Sequence, residues 1–222
     1  VSPSSSPSVS ALRPSLSPNS TTDADIDLLV GVLERSLSSP AARATAIGLV
    51  DAFGGLAGVA AADAAALRRE GLSEAGIAIL SRVQALAVAM ARAEACRRPV
   101  LSSWTALTSY LRAALAHAPR EQFRTLYLDR RNILIREELR TDGTVDHAPV
   151  YPREVVRRAL ELSASAMILV HNHPSGDPTP SQADIEMTRR IIDAAKVFDI
   201  QVHDHVIVGR EGTKSFRALG LM

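Results

Sequence analysis

Two histidines one residue apart, followed by a serine and an aspartate, are the residues in this 222-residue chain best suited to chemistry. They lie in the run His171-Asn172-His173-Pro174-Ser175-Gly176-Asp177-Pro178-Thr179-Pro180-Ser181-Gln182-Ala183-Asp184. The pair follows a short apolar run, Ala166 to Val170, that reads as a strand covered on both faces. Alternate residues of an extended chain project to one side, so both imidazoles can reach one cation. Four residues, Pro174, Gly176, Pro178 and Pro180, enforce a stiff, irregular loop. A helix beginning near Ser181 puts Asp184 in its first turn, able to face back toward the histidines. Two imidazoles and a carboxylate suit zinc and leave a fourth tetrahedral position for water, the open arrangement of a catalytic site.

Plainer readings compete with this one. Ser181-x-x-Asp184 also has the form of a helix capping box, in which Asp184 serves backbone donors; capping and ligation are compatible. A second His-x-His, His203-Asp204-His205, lies in a strand pattern from Val202 to Val208. That pattern puts His203 and His205 on one face and makes them an alternative ligand pair; His203 is read as a surface or packing residue. Asp177 reads as a turn former.

The run resembles the JAMM (MPN+) metalloprotease signature, and its wording is similar to that of the RadC family. Tyr151-Pro152-Arg153-Glu154-Val155 and Asp204-His205-Val206-Ile207-Val208-Gly209 carry the same likeness. The resemblance spans roughly residues 100–222 and implies an MPN fold: a curved, mixed β-sheet with flanking helices, related to the cytidine-deaminase architecture. It implies one zinc ion per chain on His171, His173 and Asp184, and hydrolysis of a peptide or isopeptide bond in an unidentified substrate. A glutamate on an early strand activates water in that family, and here the matching position is Glu121, preferred over Glu137, Glu138 and Glu154. Ser181 matches the serine that steadies the oxyanion, and Asp204 and His205 match a pair that supports the zinc ligands from behind.

These residues need a scaffold, and the patterning supplies one. Asp23 or Asp25 caps a helix with apolar positions Ile26, Leu29, Val30 and Leu33. Further helical patterns run from Pro40 to Val50, from Ala64 to Arg69 after Asp63, and from Ser73 or Glu74 to Ala95. Residues 23–99 therefore read as a small all-helical domain. Beyond Pro99 the pattern becomes alternating α/β. A helix (Ser103–Ala118) precedes a hairpin in which Phe123–Leu128 is followed by a turn at Asp129 to Asn132 and a second strand beginning at Ile133-Leu134-Ile135, with another turn at Asp142-Gly143. A helix from Pro152 to Leu162, the strand from Ala166, a helix from Ser181 to Phe198 and a strand from Gln201 to Val208 complete the domain.

Residues 1–22 hold four prolines and nine serines with little to bury, which predicts a disordered tail. A lone Cys96 excludes an internal disulfide framework and a multi-cysteine zinc site. No uninterrupted apolar run has membrane-spanning length, so no membrane partner and a cytoplasmic location are expected. The net charge of +1 supplies no global field for nucleic acid. RadC-like proteins often begin with a helix-hairpin-helix DNA-binding turn, and Arg69 to Gly76 stands in that place. Gly71 is present but Ser73 replaces the second glycine, so the region reads as a degenerate version. DNA contact through 23–99, with Arg92, Arg97 and Arg98 as phosphate contacts, is the alternative function, the metal site then being structural or vestigial.

Overall fold

The computed structural model describes residues 23–96, 99–142 and 150–222. The expected tail, Arg97, Arg98 and Gly143 of the expected turn lie outside them.

Apolar residues at helical spacing between Asp23 and Cys96 form five helices: α1 (Asp23–Leu33), α2 (Ser39–Phe53), α3 (Leu56–Ala61), α4 (Ala64–Arg69) and α5 (Glu74–Cys96). α3, six small or apolar residues, has no counterpart among the expected helices, because so short a run carries little periodicity and Gly55 before it offers no side-chain cap of the kind that marks α4. Asp63 caps α4 through the amide of Ala66 at 2.7 Å, and Ser73 accepts from the amide of Gly76 at 3.2 Å at the start of α5. Leu29, Leu33, Ala46, Leu49, Leu67 and Leu80 fill the core between these helices. The last turns of α5 leave this core: Ala95, with Val88 and Ala91, packs into the next one. α5 is also the one helix among the described residues long and apolar enough to cross a bilayer by length and composition alone.

One turn of 3-10 helix (Val100–Ser103) leads into α6 (Trp104–Leu115), followed by β1 (Gln122–Leu128), β2 (Leu134–Asp142), α7 (Pro152–Glu161), β3 (Ala166–Asn172), α8 (Gln182–Lys196), β4 (Gln201–Gly209) and β5 (Gly212–Ser215). The strands form one mixed sheet in the order β2-β1-β3-β4-β5. β3 and β4 are parallel, joined by the α8 crossover, and the other neighbours are antiparallel. β3 sits in the middle with every residue buried, as a continuously apolar strand must. Its even-numbered residues, with Leu126 and Val206, pack on α6 and the end of α5; its odd-numbered residues pack on α7 and α8. The architecture is thus a mixed sheet with helices on both faces, as the resemblance implies.

The face expected to be shared by His203 and His205 does not exist. The β3–β4 register slips between Met167↔Val202 and Ile168↔Asp204, so a bulge at His203 breaks the alternation. His203 Nε2 meets Asn132 Oδ1 at 2.7 Å, while His205 faces α8. β5 was also outside the sequence reading. It is a four-residue edge strand whose pairing with β4 defines it.

Candidate metal centre

β3 delivers His171 onto the α8 face of the sheet, where it is 1% exposed. His173 lies just past the strand, but its amide still bonds Val208 O at 2.9 Å, so the extended chain continues through it. The Nε2 atoms of the two rings are 2.9 Å apart. Asp184, in the first turn of α8, places Oδ1 3.3 Å from His171 Nε2 and Oδ2 3.5 Å from His173 Nε2. One ligand atom from each of the three residues lies within 4.8 Å of the others.

The capping box and the ligand arrangement coexist. Asp184 Oδ2 accepts from the Ser181 amide at 2.7 Å and from its hydroxyl at 2.6 Å, and the Asp184 amide donates to Ser181 Oγ at 3.2 Å. These bonds lock the carboxylate in orientation, with Oδ1 toward His171 and Oδ2 toward His173. The Ser181 hydroxyl is spent on Asp184 here. The stiff loop is closed by a tight approach: a Cβ on Gly209 would lie 2.1 Å from Gly176 O, and Gly176 itself has φ +104°. This explains why glycine ends β4. The closed loop brings Asp177 O to 2.8 Å from His173 Nδ1. A carbonyl only accepts, so Nδ1 donates and Nε2 is the atom left to bind a cation. Asp177 shapes the loop as a turn former, its carboxylate accepting from Thr179 N at 2.9 Å and Oγ1 at 2.7 Å.

The electrostatics fit a cation at this point. Burial pushes the His171 imidazole down to about 4, so the ring is neutral at ordinary pH. Burial also opposes ionisation of Asp184, but His173, His171 and Ser181 outweigh it and hold its carboxyl well below the usual range. Asp184, burial and the Asp177 carbonyl act on His173, and the carboxylate prevails to raise it. Two imidazole nitrogens at this separation need a proton or a metal ion between them, and the carboxylate of Asp184 beside them favours a positive group there, a protonated His173 or a metal ion. The donor set, two imidazoles and one carboxylate, is one zinc accepts.

Glu121 immediately precedes β1 and is half-buried. Phe123 pairs with His171 at the end of the β1–β3 ladder, and Glu121, two residues before it, lies near enough to His173 for its charge to favour the protonated ring. Its placement depends on a residue the sequence reading passed over. Asn172 turns to the other face of β3, accepts from the Gln122 amide at 2.9 Å and donates to Arg120 O at 3.1 Å. It thereby grips the backbone on both sides of Glu121. The available signal was an amide side chain in an otherwise apolar strand, which burial obliges to find backbone partners. Glu137 and Glu138 lie elsewhere: Glu137 binds Tyr110, Arg92 and Arg124, and Glu138 binds Arg158. Glu154 sits in the first turn of α7.

Behind His171, His205 Nε2 lies 2.8 Å from its Nδ1, with His205 buried between Phe123 and Phe216. Asp204 acts further out. It accepts from the amides of His205 at 2.8 Å and Arg217 at 3.0 Å and from the Ser215 hydroxyl, pinning the turn that carries Phe216.

A family model, the RadC-like JAB domain, matches residues 101–221, the whole of the sheet and this cluster. The chain belongs to that family. A UPF0758 protein of Rhodobacter capsulatus is 53% identical over 199 residues, covering 89% of this chain and 93% of that protein. A UPF0758 protein of Ruegeria pomeroyi is 50% identical over 199 residues, 89% of each chain. Both alignments extend beyond the JAB domain into the helical region, since 199 residues exceed the length of the domain.

Proposed function

We propose that this RadC-like protein is a zinc-dependent hydrolase of the metallopeptidase type, acting on a peptide or isopeptide bond. The observation that carries the reading is the convergence of His171 Nε2, His173 Nε2 and the Asp184 carboxylate at the end of β3, with the charge of Glu121 acting on His173. His171, His173 and Asp184 would hold the ion. Zinc bound there supplies Lewis-acid polarisation and lowers the pKa of the attacking water. Glu121 takes the proton from that water and returns it to the leaving amine, the service of a general base and then a general acid. Ser181 holds Asp184 in place through its hydroxyl, which would turn toward a developing oxyanion once substrate is bound. The Asn172 grip keeps Glu121 from drifting off its register.

Metal content by mass spectrometry, with a peptidase screen of the intact chain and of Glu121→Gln, tests this. The expected result is about one zinc per chain in both, with hydrolysis at least about 100-fold lower in the variant. No zinc in the intact chain after zinc is supplied, or full activity in Glu121→Gln, defeats it.

A second reading keeps the metal as structural and assigns DNA binding to the helical region. The α4–α5 hairpin supports it, because Gly71 takes φ +83° at the turn as a helix-hairpin-helix requires. Ser73 weighs against it by capping α5, as does the Arg68–Glu74 ion pair (2.6 Å) across the hairpin. An anisotropy titration with duplex DNA discriminates: binding that falls steeply with salt favours this reading, and no binding ends it.

A further inference from the structure

The contacts behind His171 form a chain with a definite direction. Thr188 lies one turn after Asp184 on α8, and its Oγ1 is 2.6 Å from Asp184 O and 2.6 Å from His205 Nδ1. A hydroxyl has one proton, and a backbone carbonyl can only accept it. Thr188 therefore donates to Asp184 O and must accept from His205 Nδ1–H. His205 is packed between Phe123 and Phe216, and an imidazole whose one proton is on Nδ1 has its lone pair on Nε2. That lone pair is 2.8 Å from His171 Nδ1, which must then carry the proton and donate. His171 Nε2 is left bare and faces His173 and Asp184.

We infer that Thr188, acting through His205, fixes the tautomer in which His171 offers its Nε2 lone pair to the metal. The inference rests on the reading of His171 as a ligand. A Thr–carbonyl bond to the residue four back is common in helices and by itself implies nothing. Here the same hydroxyl also closes a path from the backbone of one metal-binding residue to the ring of another. Both ends of the site, the Asp184 turn and the His171 ring, are thus set by a single hydroxyl. Removing it frees His205 to place its proton on Nε2, which drives the His171 proton to the wrong nitrogen. Thr188 is a positioning residue.

The test uses the full chain with ¹⁵N-labelled histidine, stripped of metal, at neutral pH, together with zinc affinity by chelator competition. In the unaltered chain and in Thr188→Ser, His171 should be protonated at Nδ1 and bare at Nε2. Thr188→Val, which keeps the shape and loses the hydroxyl, should move His171 to the Nε2-protonated form or to exchange between forms. Its zinc affinity should fall about tenfold or more, with Thr188→Ser near the unaltered value. An Nε2-protonated His171 in the unaltered chain overturns the inference, and so does a Thr188→Val chain that keeps both tautomer and affinity. Should Thr188→Val fail to fold, the spectrum of the unaltered chain decides alone. A chain that never binds zinc defeats the hydrolase reading, while the metal-free spectrum still decides this one.

Discussion

The two cores of this protein are built from different materials. Between Asp23 and Leu80, the buried residues are Leu, Ala, Val, Ile and Gly. The core around the sheet also buries Thr125, His171, Asn172, Asp184, Thr188, Asp204 and His205. Every buried polar or charged residue among the described residues belongs to this second region. Burying such groups costs free energy unless each is bonded. The sheet domain meets most of that cost with hydrogen bonds, Asn172 and Asp204 on backbone amides, Asp184 on Ser181, and Thr188 and His205 behind His171, while the buried Thr125 Oγ1 is left without a hydrogen-bond partner among the described residues. The helical region has a core that serves packing, and the sheet domain has a core that also holds the His171, His173 and Asp184 cluster. The two are coupled where α5 packs on α6 and where Arg92 reaches Glu137 at 3.3 Å.

The sharpest way to break this contrast is Asp184→Ala. On the proposed reading it takes zinc from about one ion per chain to near zero by mass spectrometry, while circular dichroism of the helices changes little. Zinc retained in full would show that the ligands lie elsewhere. Leu49→Ala, in the helical core and 1% exposed, should cost about 2–5 kcal/mol in a denaturant melt. It should leave zinc per folded chain unchanged, and a parallel loss of zinc would mean that the two cores do not separate functionally.

Acid should act on the metal-free sheet domain. His171 in the folded state lies at about 4, below its ordinary 6.5, so between those values the unfolded chain binds a proton that the folded chain refuses. Stability then falls as pH drops through that window, by roughly 2 kcal/mol from His171 at pH 5. Burial likewise lowers His205 and adds in the same direction. His173 is raised, so its contribution is present below its unfolded value and is lost as pH rises through the folded one. Melts of chelator-treated protein at pH 7.5 and 5 check the sum; greater stability at pH 5 would contradict the buried neutral imidazoles. Asn172→Ala should cost about 1–3 kcal/mol, because buried backbone groups lose their partner. It should also lower hydrolysis without lowering zinc content. Arg92→Ala, cutting a pair whose cation is half exposed, should cost no more than about 1 kcal/mol in the same melt.

Much of this could be read from the residues. The helices from Asp63 and Ser73, the buried strand at Ala166 and the grouping of His171, His173 and Asp184 all follow from local periods and caps. α3 could not be read, because its six residues lack the side-chain cap that Asp63 gives the equally short α4, and the four residues of β5 carry no usable alternation. The bulge at His203 could not be read either, since it exists only in the pairing of β4 with β3.

By itself the sequence determined which residues could carry charge and metal, and how far apart along the chain they stand, because strand alternation and helix capping are set within a few residues. Tertiary structure decided which atoms meet. The β1–β3 pairing brought Glu121 close enough for its charge to act on His173, the parallel β3–β4 pairing put His205 behind His171, and the α8 crossover brought Thr188 to close the chain of hydrogen bonds. Each of these joins segments at least 17 residues apart, as Thr188 and His205 are. Contacts of that kind depend on the packing of the whole sheet, and no local spacing encodes them.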